Sequence, residues 1–297
     1  MNIMLLGSNG QLGKELERKL SMVGNLYSFS KSYIDITNYD VIKNKIKLVK
    51  PDVIINAAAF TAVDRAETEI SKAYAINKDA VINLSKIAKR EDAWLIHYST
   101  DYVFDGLKSS AYLETDIPNP INIYGASKLA GEKGVIDINC KHIIFRTTWV
   151  IGKDGDNFAK IILKLASKEK KIKVVNDQIG VPTSTSLITK VTLEFISSIK
   201  KNMQWSSGIY HLTPNGVSNW HEIAINLIRL AKENSTKLSI SEVEKIKTLN
   251  YPTIAKRPLN SLLNTQKLKN KISFKLPDWK EDFQNVAIKI VEEFNTA

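Results

Sequence analysis

With a single cysteine, Cys140, the 297-residue chain can build neither an intrachain disulfide framework nor a cysteine-rich metal site. Histidine is also scarce: four residues and no His-Glu-x-x-His arrangement leave nothing resembling a zinc site and no metal ligand to name. No run approaches the roughly 18 uninterrupted apolar residues of a membrane span. Met1-Asn2 leads straight into a strand-like run, without a basic leader or small-residue cleavage site, so a cytoplasmic location and no membrane partner are expected. No repeat of solenoid period is visible. Acidic residues are outnumbered, 31 against 42 Lys and Arg, for a net charge of +11. On composition alone that keeps nucleic acid in play. The lysines are nevertheless spread along the chain, densest over 160–173, which reads as a helix and a turn. The charge therefore reads as a solvated basic surface that also attracts a dianionic, nucleotide-linked substrate, and no nucleic-acid partner is expected.

What is present is ordinary for a globular protein, 43% apolar and 25% charged residues, at a length that fits one large domain or two modest ones. Strand-like and helix-like segments alternate through residues 1–150, which predicts an α/β fold with a doubly wound, Rossmann-like parallel sheet. The first unit is an apolar strand over 3–6, the turn Gly7-Ser8-Asn9-Gly10-Gln11-Leu12-Gly13, and a helix beginning at Lys14. In that context Gly7 permits a tight turn, Gly10 lets the backbone approach a pyrophosphate, and Gly13 lets the helix sit closely on the strand. The phosphate would lie over unpaired helix N–H groups, with Asn9, Gln11 and Leu12 beside it. A second strand over 25–29 ends in Ser30-Lys31, a hydroxyl and a cation where NAD-preferring folds usually carry an acid. NADPH preference is expected on this ground, with NADH still open because Asp35 is placed to reach the adenine side. A helix over 39–49 precedes a buried strand ending Asn56-Ala57-Ala58-Ala59, whose small side chains leave room for a ligand against the backbone. Residues 66–90 read as one long amphipathic region in which Asn77 either bridges backbone groups or faces solvent.

The chemistry-bearing stretch runs from His97 to Lys133. A strand ending Ser99-Thr100 is followed, after a loop with Pro118 and Pro120, by Tyr124-Gly125-Ala126-Ser127-Lys128. On one helix that spacing stacks Tyr124 and Lys128 on one face, about 5–6 Å apart at Cβ. An ammonium there favours the phenolate and lowers the cost of moving the phenolic proton, and Thr100 can bond the same substrate oxygen. Carbonyl reduction, or its reverse, is the expected reaction. Beyond Trp149 the text changes to a turn-rich link, a helix over 158–167, a strand over 171–175, a helix over 187–199, a strand over 208–212, and a helix from Trp220 capped by Ser218. Residues 1–150 with 174–202 are expected to form the NADP(H)-binding domain, and 151–173 with 203–297 a smaller α/β substrate lobe interleaved with it in sequence.

Taken together, Gly7-x-x-Gly10-x-x-Gly13, Asn56-Ala57-Ala58-Ala59, Ser99-Thr100-Asp101-Tyr102-Val103-Phe104 and Tyr124-x-x-x-Lys128 resemble the extended short-chain dehydrogenase/reductase family. More narrowly, several further motifs resemble its dTDP-4-dehydrorhamnose reductase branch. They are Phe60-Thr61-Ala62-Val63-Asp64, His97-Tyr98, Phe145-Arg146-Thr147-Thr148-Trp149, Asn157-Phe158-Ala159, Asn176-Asp177-Gln178, Pro182-Thr183 and Arg257-Pro258-x-Asn260-Ser261. The resemblance implies a catalytic group of Thr100, Tyr124 and Lys128, with Tyr124 and Lys128 also touching the cofactor. It implies reduction of the C4 ketone of dTDP-4-dehydro-beta-L-rhamnose to give dTDP-beta-L-rhamnose for polysaccharide synthesis. Thr61, Val63, Thr100, Tyr102, Phe104, Trp149, Asn157, Arg257 and Asn260 are then the expected substrate contacts. A homodimer is also implied. Some relatives are described as joined by magnesium through glutamates, and Glu15 lies where such a ligand would, but no C-terminal partner is assignable, so magnesium stays open. Two other readings share these residues: reduction or epimerisation of another nucleotide sugar, and a regulatory subunit resembling the beta subunit of methionine adenosyltransferase.

Overall fold

The computed structural model describes residues 1–201 and 205–296. Six parallel strands form the central sheet: β1 (Asn2–Leu6), β2 (Asn25–Phe29), β3 (Val53–Asn56), β4 (Trp94–Thr100), β5 (His142–Thr147) and β6 (Gly208–His211). Their spatial order is β6-β5-β4-β3-β1-β2. The order reverses at β1, so a crevice opens beyond the carboxyl ends of β1 and β3, where sheets of this kind receive ligands.

Both faces are covered, which is why the strands read as continuous apolar runs. Along β1, Ile3 and Leu5 enter one core while Met4 and Leu6 enter the other. The first face packs on α1 (Gln11–Leu20); the second on α2 (Tyr39–Val49) and α3 (Ala80–Arg90). The helix that carries Tyr124 and Lys128 is α4 (Ile123–Ile138). The second lobe has its own core, built from α5 (Phe158–Lys168), α7 (Trp220–Glu233), α8 (Trp279–Thr296) and the parallel pair Lys171–Val175 and Glu242–Ile246.

Several expected boundaries move. The helix α6 (Thr185–Lys200) packs Leu187, Ile188, Val191, Phe195 and Ile196 into the sheet's first core, but strand Lys171–Val175 pairs with the second lobe. Residues 208–211, assigned by sequence to the substrate lobe, form the sheet's sixth strand beside β5. The expected division at 202/203 lies outside the described residues. The single amphipathic region over 66–90 is broken into helices Val63–Ala66 and Ile70–Tyr74, a five-residue π-helical turn (Ala75–Asp79) and α3. The turn brings Asn77 inward, as such bulges often do near functional sites. Its amide accepts from Phe60 N (2.9 Å) and donates to Phe60 O (3.1 Å) and Ser127 Oγ (3.0 Å). Asn219, not Ser218, caps α7, because its side chain accepts from Glu222 N.

Candidate active site

The glycine turn is built against the neighbouring strands. Gly7 has φ of 82°, in the left-handed region, and a Cβ there would collide with the Ala57–Ala58 backbone. A Cβ at Gly13 would run into the Gly7 carbonyl oxygen, so only glycine lets α1 seat this closely. The crevice beyond the turn is lined by Gly7, Asn9 and Gly10 on one side, by Ala57, Ala58, Ala59 and Thr61 on another, and by Lys31 and Asp35 at the β2 end. The Lys31 ammonium, open glycine backbone and small side chains fit a dinucleotide with an extra phosphate, with the carboxylate of Asp35 beside Lys31. Asp35 is held ionised: the Thr37 hydroxyl and N–H both donate to its carboxylate, keeping its pKa below the usual value.

Three residues expected at the cofactor have side chains that make contacts within the fold. The Gln11 side chain ties the sheet to the second lobe, donating to Val150 O (3.1 Å) and accepting from Gly152 N and Asn157 Nδ2. Leu12 packs against the first core, and the Ser30 hydroxyl pairs with Ser32 (2.7 Å).

Thr100 ends β4 and Tyr124 is the second residue of α4, which Asn122 starts by accepting from Gly125 N (2.8 Å). A Cβ at Gly125 would collide with Tyr102 O, so the helix start is pressed onto the segment after β4. This brings Thr100 beside Tyr124, while the Thr100 hydroxyl itself donates to Asp101 Oδ1 (3.1 Å) and accepts from Tyr102 N (3.1 Å). The phenol is not lowered, as the spacing argument expects. Desolvation pushes it up to about 12, the nearby Thr100 hydroxyl opposing and the Asp101 charge adding to the rise. Lys128 is buried and its Nζ turns to the Tyr98 carbonyl (2.5 Å) and His97 Nε2 (3.2 Å), which accounts for its absence from the forces on the phenol. Burial lowers Lys128 to about 8, against a raising contribution from Glu132.

Of the expected substrate contacts, Tyr102 meets the Tyr124 ring edge-on at 5.7 Å. Val63 opens the short helix that follows Thr61, and the next residue, Asp64, holds Arg257 at 2.7 Å. Trp149 has φ of 40°, a sparsely populated conformation for a bulky side chain, and its indole stacks on Trp220 at 3.9 Å. Three assignments are corrected. Phe104 is 1% exposed and stacks on Tyr112 at 4.2 Å, so it is a core residue. Asn157 caps α5 and bonds Gln11 and Gly152 O. Asn260 donates to Lys108 O (2.7 Å) and Ser110 O (2.9 Å) and accepts from Leu262 N, which makes it a loop staple.

The comparisons with known proteins bear on the whole chain. A family model described as the RmlD substrate binding domain matches residues 1–291. The dTDP-4-dehydrorhamnose reductase of Shigella flexneri is 42% identical over 283 residues, 94% of either chain, and that of Salmonella typhimurium is 43% identical over 284 residues, again 94% of each. The chain belongs to the dTDP-4-dehydrorhamnose reductase family. The crystal structure of the Bacillus anthracis dTDP-4-dehydrorhamnose reductase in complex with NADP is similar at a TM-score of 0.88, with 34% identity, covering 97% of this chain and 99% of that one.

Within this member of the dTDP-4-dehydrorhamnose reductase family, four polar residues at the site carry no role in the sequence reading. Asp101, buried beside Thr100, is pushed up to about 7 by desolvation, opposed by the Thr100 hydroxyl that donates to it at 3.1 Å and by the nearby Ser261. His97 and Asn56 are each 1% exposed, and Glu132 binds Arg146 in a buried ion pair at 2.6 Å. The available signal was a polar residue interrupting a run destined for burial, as at Ile96-His97-Tyr98. Among the described residues no group of three or more His, Cys, Asp or Glu is arranged to hold a metal ion.

Proposed function

We propose that this chain reduces the C4 ketone of dTDP-4-dehydro-beta-L-rhamnose, with NADPH as the preferred reductant, to give dTDP-beta-L-rhamnose. The observation that carries the reading is the meeting of Thr100 and Tyr124, with Lys128 one turn along, at the carboxyl end of β4, in a chain whose glycine-turn crevice lies at the sheet's switch point. Family membership over nearly the full length supports the substrate. A reduced nicotinamide bound in the crevice would supply hydride to C4. Gly7, Asn9, Gly10 and Ala57 to Ala59 would hold the dinucleotide, and Lys31 its extra phosphate.

Tyr124 gives its proton to the oxygen that becomes the C4 hydroxyl, and Thr100 orients that oxygen. A phenol that stays protonated through the neutral range is suited to reduction, where it must be an acid at the start of each cycle. Arg257, poised by Asp64, is chemically apt for the substrate diphosphate, and the Trp149 indole offers a flat wall to the sugar. A cytoplasmic location and a homodimer belong to the same reading, the latter checked by light scattering. The test is to supply the dTDP-4-keto sugar with NADPH and then NADH and to follow cofactor oxidation and the product sugar. Faster turnover with NADPH and a rhamnosyl product are expected; a clear NADH preference contradicts the role of Lys31, and no net oxidation contradicts the reductase reading.

A further inference from the structure

The Lys128 ammonium group ends a chain of hydrogen bonds whose direction is fixed from its other end. The Ala58 N–H donates to Asn56 Oδ1 at 3.2 Å. Asn56 therefore meets His97 Nδ1 with its Nδ2, also at 3.2 Å. Nδ2 offers only donors, so Nδ1 accepts and the neutral imidazole carries its proton on Nε2. That Nε2–H faces Lys128 Nζ at 3.2 Å. An ammonium has three donors and no lone pair, and meets Nε2–H donor against donor, whereas an amine accepts it. The remaining Nζ contact, to the Tyr98 carbonyl, suits either form. Asn56, His97 and Lys128 are each 1% exposed, which leaves the conflict to these side chains.

We propose that His97, fixed by Asn56 as its Nε2–H tautomer, is a positioning residue that disfavours the ammonium form of Lys128 and so sets the pH above which Lys128 stops supporting the Tyr124 phenolate. Burial and the Lys128 charge keep His97 well below its ordinary value, so it is uncharged through the neutral range. The other ionisable groups around Lys128 are Glu132 one turn along α4, which favours the ammonium, Arg146 from β5, which Glu132 neutralises, Tyr124 one turn back and Asp101 after β4. None of them alters the direction of the Asn56–His97 chain. The catalytic consequence rests on the reductase reading; the tautomer and the lysine titration do not.

Nitrogen NMR of histidine- and lysine-labelled protein reads both without turnover. Wild-type His97 is expected to be protonated at Nε2, with Lys128 titrating near 8. In Asn56→Asp the carboxylate accepts from Nδ1–H, Nε2 becomes an acceptor for the ammonium, and the Lys128 midpoint rises by about one pH unit or more. His97→Gln, which can turn its carbonyl oxygen to Nζ, shifts it the same way, and the alkaline limb of the reductase profile follows; loss of packing alone moves neither. A wild-type His97 protonated at Nδ1, or a Lys128 midpoint unmoved in both folded variants, overturns the proposal. If neither variant folds, the wild-type tautomer decides. The predicted tautomer in a protein that reduces no keto sugar leaves this inference standing and contradicts the reductase reading instead.

Discussion

Desolvation of the Tyr124 hydroxyl, partly offset by Thr100, leaves a phenol that is protonated at neutral pH. As its proton moves to the substrate oxygen, the phenolate forms one helical turn from Lys128. Positioned acid catalysis is commonly worth about 10²–10⁴ in rate. Tyr124→Phe is therefore expected to lose that factor in initial rate while cofactor titrations change little; a variant at full rate rejects Tyr124 as the donor. Lys128 carries its charge below about 8 and loses it above, so the rate of reduction should fall as the pH rises through that value. The residue types and their four-residue spacing were legible because helix geometry alone brings them to one face. The protonation behaviour was not, since it depends on groups such as His97 and Asp101 that only the folded sheet places beside them.

At the scale of elements, α1 and α4 do the positioning. Gly13→Ala would drive a methyl into the Gly7 carbonyl, and since the obstacle is backbone the helix must shift. A loss of at least about 1–3 kcal/mol in denaturant stability, with weaker cofactor binding, is expected. The far half of α4 is anchored by Glu132, whose carboxylate takes three hydrogen bonds from Arg146 on β5. Glu132→Gln leaves the guanidinium buried without its counter-charge and should cost about 3–5 kcal/mol by chemical denaturation. It also removes the charge that favours the Lys128 ammonium, so the alkaline limb should move down in pH, opposite to His97→Gln. Strands and helices such as 25–29, 39–49 and 171–175 were readable because period and turn residues agree there. The segment before α3 was not, because Asn77 turns inward to meet Ser127, fifty residues along the chain. Phe104, Asn157 and Asn260 were misassigned for the same reason: a motif gives a residue's neighbours in sequence, whereas Tyr112, Gln11 and Lys108 decide what each side chain does.

Over the whole molecule, the two lobes are tied through Gln11 to Val150 and Gly152, through Arg18 to Asp154 (2.7 Å) and through Ser184 to Asp282 (2.6 Å). The resulting frame places the crevice beyond β1 and β3 and the acid of α4 against the end of the neighbouring β4, in a chain whose +11 charge favours approach of a dianionic sugar nucleotide. Fold class and overall chemistry were visible from the sequence because the glycine turn, the strand ends and the Tyr–Lys pair each recur at a fixed place in a parallel sheet. The interleaving of the lobes was visible only in part, since the strand over 208–211 joins the sheet by pairing with β5 after a long excursion through the second lobe. The most direct measurement supplies dTDP-4-dehydro-beta-L-rhamnose with NADPH deuterated at its transferable position and locates the label in the product. One deuterium at C4 of dTDP-beta-L-rhamnose for each NADPH oxidised is predicted; label elsewhere in the sugar, or a rearranged sugar with no NADPH consumed, would contradict it.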